Sequence, residues 1–118
     1  DGGSIIANNI ITDYGYGHEY WNWGGASADQ SGSYAIALLK GQIPENPPLD
    51  DVVLTGNLVY GGRNGDAPRY RYALYIEEWD RRDEPGSNAP RQPHLYGNLF
   101  HPGSGGISNA EVPGDKNL

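Results

Sequence analysis

The chain has 118 residues, no cysteine, a formal net charge of −7 and a mean hydropathy of −0.67. Those values exclude a disulfide framework, a thiolate metal site and a cysteine nucleophile, and they leave no apolar run long enough to span a membrane as a helix. The acidic balance gives nucleic-acid phosphates and anionic lipid surfaces no basic footprint, so neither nucleic acid nor membrane is an expected partner.

One domain is expected at this length, and no linker-like shift in composition divides it. The counts of 18 glycines and 9 prolines argue against a helical protein. The 9 tyrosines and 3 tryptophans against 1 phenylalanine favour rings that carry a polar edge. The start at Asp1, with no basic and apolar leader, looks like a point inside a longer chain.

The first predicted element is a bent strand pair, Ile6-Ala-Asn-Asn9-Ile-Ile11. A long insertion, Thr12 to Ser33, follows it and carries Tyr14, Tyr16, His18, Tyr20, Trp21 and Trp23 among glycines. Period-two alternation then marks Tyr34-Ala-Ile36-Ala-Leu38 as a strand. The pattern returns as Leu54-Thr-Gly-Asn57-Leu-Val59, a loop holding Arg63 and Arg69, and the strand Tyr72-Ala-Leu74-Tyr-Ile76. A solvated loop is predicted over Arg81 to Pro93. The third return is Leu95-Tyr-Gly-Asn98-Leu-Phe100, with Gly106-Ile107-Ser108 as its second strand.

The three asparagines are 48 and 41 residues apart, and each follows an Asn or Gly where a tight bend needs positive φ. From each asparagine to the centre of the next strand takes 27, 17 and 9 residues, so one corner of the repeat absorbs most of the length variation. A solenoid behaves in this way, because its rungs stay in register while corner loops vary freely. The expected fold is therefore all-β: about three coils, near 3–50, 51–92 and 93–118, with long corner loops.

The rung of apolar, any residue, Gly, Asn and two apolar residues, at Leu54 to Val59 and Leu95 to Phe100, resembles the coil repeat of pectate-lyase-like right-handed parallel β-helix proteins. The resemblance covers nearly the whole chain and implies an inward, buried ladder of Asn9, Asn57 and Asn98. It specifies a fold and no single activity, since that family includes lyases, glycoside hydrolases, epimerases, esterases, tailspikes and adhesins. Three coils are few for it, which points to a segment of a longer solenoid or to further coils or another chain at the ends.

Sugars present C–H faces to aromatic rings and hydroxyls to planar polar groups, so Tyr14, Tyr16, His18, Tyr20, Trp21, Trp23, Arg63 and Tyr70 are the candidate substrate-binding residues. Their alternative role is to pack beneath their own loops. Registering the second strands on Ile36, Leu74 and Ile107 sets Lys40 above Glu78 and Glu78 above Glu111, with neighbouring strands about 4.8 Å apart. Lys40, Glu77, Glu78, Arg69 and Arg71 are thus the candidate catalytic residues, with one carboxyl's pKa raised by its neighbour. The competing expectation for the Lys40 column is a salt-bridge ladder on an outer face.

His18, His94 and His101 lack the spacing that sets two imidazoles on one metal, and no cofactor is expected. Glu77 and Asp80 extend the acidic cluster, whose oxygens suit a divalent cation such as Ca²⁺, although no calcium-loop spacing supports it. The leading functional expectation is a secreted, periplasmic or cell-surface protein that acts on a polysaccharide as a lyase or glycoside hydrolase, or a segment of one. The alternative is a non-catalytic glycan-binding, adhesive or structural module such as a tailspike segment.

Overall fold

The computed structural model describes residues 2–12, 34–61 and 70–112. Each coil contributes one strand to each of three parallel three-stranded sheets. The first coil carries β1 (Ile5–Ala7), β2 (Ile10–Thr12) and β3 (Tyr34–Leu38). The second carries β4 (Val53–Thr55), β5 (Leu58–Tyr60) and β6 (Tyr72–Ile76), and the third β7 (His94–Tyr96), β8 (Leu99–Phe100) and β9 (Gly106–Ser108). The sheet orders are β1-β4-β7, β2-β5-β8 and β3-β6-β9, every pair parallel. The described chain is thus all-β, its parallel strands stacked in three sheets. The one helical element among the described residues is a 3-10 turn at Trp79–Arg81.

The bend between the first two strands of each coil has one cause in all three. Asn8, Gly56 and Gly97 hold φ of 57°, 65° and 62°, the left-handed region, and turn the chain by a single residue. The asparagine that follows each bend points inward. Asn57 Oδ1 accepts from the Asn9 main-chain N–H at 3.1 Å and from Asn9 Nδ2 at 2.9 Å. Asn98 Oδ1 accepts from the same two groups of Asn57, while Nδ2 of Asn57 and of Asn98 donates to the carbonyls of Ile6 and Leu54. The polar groups are thereby satisfied inside an otherwise apolar stack.

Around this ladder Leu54, Val59, Leu74 and Ile76 are wholly buried, with Ile36, Leu38, Leu95 and Phe100 nearly so. Removing such side chains from water is the main stabilising contribution, at about 1.5–3 kcal/mol each. Columns form because the register aligns Ile6, Leu54 and Leu95, and also Ile11, Val59 and Phe100.

The third sheet corrects one expected register. Leu74 stands opposite Ser108, not Ile107, which shifts Glu111 off the Lys40–Glu78 column. Asn109 accounts for the shift: its Oδ1 accepts from Ile76 N–H at 2.9 Å and its Nδ2 donates to Ile76 C=O at 2.8 Å, so a side chain ends the ladder where a main chain would continue it.

Candidate functional site

Lys40 and Glu78 lie just beyond the ends of β3 and β6, where the matched register brings them level. Their side chains form an ion pair of 2.8 Å, each about one-third exposed. Glu77 braces the same corner. Its main-chain N–H donates to Leu38 C=O, and its carboxylate accepts the Lys40 N–H at 2.7 Å. Glu78 itself takes a left-handed conformation, φ 52°, at the start of the 3-10 turn. A non-glycine residue held there is strained, and such strain concentrates where a side chain must be aimed.

The segment Arg81 to Pro93 is the expected loop, exposed at Arg81, Asp83 to Gly86, Arg91 and Gln92, but part of it packs as a wall against the first coil. Ala89, Pro90 and Pro93 are buried, Asn88 Nδ2 donates to the carbonyls of Gly41 and Ile43, and Arg91 N–H donates to Leu49 C=O. The Arg82 guanidinium lies 3.8 Å over the Trp79 ring. Between this wall and β3 is a polar cleft of about 230 Å3 lined by Lys40, Glu78, Arg81, Glu84, Ser87 and Asn88. On the other side of Lys40 a second cleft, of about 350 Å3, runs along Leu39, Gly41, Asn46 and Leu49.

A cluster of tyrosines lies on the third sheet. The rings of Tyr34 and Tyr75 are stacked with centroids 4.1 Å apart, and Tyr72 is 6.2 Å from Tyr34. Arg71 sits 5.3 Å over the Tyr72 ring. All three tyrosines keep part of their surface in solvent. Burial, and then the neighbouring Glu77 and Glu78, push the Tyr75 phenol above its ordinary value, so it is a neutral donor at physiological pH. Thr12 and Tyr60 are register partners, as are Tyr34 and Tyr72, so both insertions leave from one pair of positions and rejoin at another.

The electrostatics of Glu78 do not match an acid with a raised pKa. The hydrogen bond from Lys40, followed by the Lys40 and Arg81 charges, holds its carboxyl below the ordinary value of 4.5, and it is ionised at neutral pH. Lys40, Glu77 and Glu78 are together, and Arg71 approaches the same face through the tyrosine cluster. Tyr70, expected to face a glycan, is wholly buried. Its hydroxyl donates to His101 C=O at 3.0 Å, and the bare Cα of Gly61 leaves room for its ring edge. Tyr14, Tyr16, His18, Tyr20, Trp21, Trp23, Arg63 and Arg69 lie outside the described residues.

Tyr34, Tyr72, Tyr75, Arg81, Glu84 and Asn88 join the site without having been singled out by sequence. Two tyrosines within the single strand Tyr72–Ile76 were the available signal; nothing local marked the wall residues. A further concavity of about 520 Å3, almost wholly apolar, lies at the second sheet against Leu58, Tyr60, Leu99, His101, Pro102 and Ile107. His94 meets Asp51 at 3.5 Å on the surface. Among the described residues no three His, Asp or Glu side chains converge as a cation's ligands. No family model, curated protein or solved structure matches the chain significantly.

Proposed function

We propose that the chain is a carbohydrate-recognising module of a right-handed parallel β-helix of the pectate-lyase-like kind, and that it binds a polysaccharide or oligosaccharide along the outer face of its third sheet. The observation that carries this proposal is the half-exposed Tyr34, Tyr72 and Tyr75 cluster, flanked by Arg71, on the sheet whose strands β3 and β6 end at the Lys40–Glu78 pair. Rings take the C–H faces of pyranosides, while ion-paired side chains offer oriented donors and acceptors to hydroxyls. Such a module belongs outside the cytoplasm, where polysaccharides are met.

Binding is favoured over cleavage because the hydrogen bond from Lys40 keeps Glu78 ionised, opposite to what an acid catalyst needs. A lyase or glycoside hydrolase is the second reading, supported by the meeting of Lys40 with two carboxylates. Calorimetric titration with an acidic polyuronate and with a neutral glucan, for the parent and for Tyr75→Ala, tests both. The proposal expects saturable binding of at least one polymer, weakened about tenfold by loss of the ring, without release of reducing or unsaturated ends. No binding of either polymer overturns it, and turnover replaces it with the second reading.

A further inference from the structure

The ionised groups of the polar cleft neutralise one another. Lys40 Nζ lies 2.8 Å from Glu78 Oε1, Arg81 lies 4.0 Å from that same oxygen, and Arg81 Nε lies 3.4 Å from Glu84. The pairs therefore run in series as cation, anion, cation, anion. These four are the charged residues that line the cleft of about 230 Å3, and its other polar side chains, Ser87 and Asn88, are neutral. Two cations against two anions leave no net charge for an anionic ligand to meet.

The tyrosine cluster carries the same bias on a separate observation. Burial, and then Glu77 and Glu78, raise the Tyr75 phenol, and Arg71 opposes the two carboxylates more weakly than either acts. A field that disfavours a phenolate at Tyr75 also disfavours a sugar carboxylate brought against its ring. At longer range the net charge of −7 acts in the same direction.

A uronate carboxylate could gain a cation in the cleft only by displacing Glu78 or Glu84 from Lys40 or Arg81, which sets two like charges side by side. A sugar hydroxyl needs no such exchange, because it donates to a carboxylate and accepts from the ammonium or guanidinium beside it. Ser87 Oγ accepts the Ala89 N–H at 3.1 Å and keeps its own proton to donate to a sugar oxygen.

We propose that the ligand class of this surface is a neutral glycan, and that the Lys40–Glu78–Arg81–Glu84 series is what rejects acidic polysaccharides. The proposal rests on carbohydrate recognition by the third sheet and adds the selection among carbohydrates.

Calorimetric titration of the full chain with a neutral gluco-oligosaccharide and with an oligouronate of equal length, at about 0.1 M and about 1 M salt, tests it. Glu84→Gln is titrated beside the parent; the Glu84 side chain is 57% exposed, and circular dichroism checks that the variant is folded. The parent is expected to bind the neutral sugar with the same affinity at both salt concentrations, and the oligouronate at least about tenfold more weakly. Glu84→Gln leaves Arg81 in excess, so its affinity for the oligouronate should rise by about two- to fivefold at low salt and fall back at high salt. An oligouronate that the parent binds as tightly as the neutral sugar overturns the selection while carbohydrate recognition stands. Absence of binding to either sugar overturns both. A folded Glu84→Gln that gains no affinity for the oligouronate overturns the role given to the charge series.

Discussion

Asn98 Oδ1 accepts from both the main-chain N–H and the side-chain amide of Asn57, at 3.0 and 2.9 Å, inside a stack where both residues are 2% exposed or less. Replacing Asn57 with Leu leaves the Ile6 carbonyl and the Asn9 N–H without their ladder partner. The expected cost is about 1–3 kcal/mol, read as a lower urea midpoint at unchanged m-value. Asn9→Leu costs less, since Asn9 is exposed and water replaces its bonds. Equal losses at the two positions would mean that burial does not govern the ladder.

Gly97 holds the left-handed bend of the third coil with open space where a side chain would go. Gly97→Ala therefore isolates the backbone penalty, about 1–2 kcal/mol, and Gly97→Asn recovers part of it because Asn8 adopts the same conformation in the first coil. Gly56→Ala is expected to cost more than Gly97→Ala, because its new methyl meets the Asn8 side chain. Denaturant unfolding of the three variants checks the order.

Lys40→Met releases Glu78 from its hydrogen bond, and the Glu78 carboxyl should titrate closer to 4.5 in a carbon-detected NMR titration. A carboxyl lowered in the folded state contributes stability above its unfolded value and loses it as pH falls through the folded one. The parent should thus show a stability loss in that acid window which the variant lacks. Near neutral pH the variant stays close to the parent, because a partly exposed pair is screened. A large loss of neutral-pH stability would contradict this weak pairing.

Tyr70 behaves in the opposite direction. Burial raises its phenol from 10.0 to about 12, so the folded state holds its proton after the unfolded chain has lost it. Its contribution is complete below pH 10 and is lost as pH rises through about 12. Phenolate absorbance should show Tyr70 ionising late, and Tyr70→Phe should lessen the alkaline loss of stability. A parent whose tyrosines all titrate near their ordinary value would refute the burial.

The fold was largely legible because its signals are local and repeated. The Asn9, Asn57 and Asn98 spacing, the left-handed residue before each asparagine and the alternation of Tyr34–Leu38 and Tyr72–Ile76 each specify backbone direction directly. The register of β9 was not legible, since Asn109 replaces a main-chain partner with a side chain and no pattern announces that. The Lys40–Glu78 pair followed from register. The tyrosine cluster and the Arg81–Asn88 wall did not, because they depend on where two corner segments return in space. Tyr70 reads as one more loop aromatic until Gly61 opens the space for its ring.

Carbohydrate recognition on the third sheet is tested most directly by recording backbone amide spectra of the parent while titrating a polyuronate oligosaccharide, then a neutral gluco-oligosaccharide. The expected result is saturable shifts for one of them at Ala35, Ala37, Lys40, Tyr72, Tyr75 and Glu77, with the buried rungs at Leu54 and Leu95 unmoved. Shifts confined to the apolar concavity at Tyr60 and Leu99, or no saturable shift with either sugar, would contradict it.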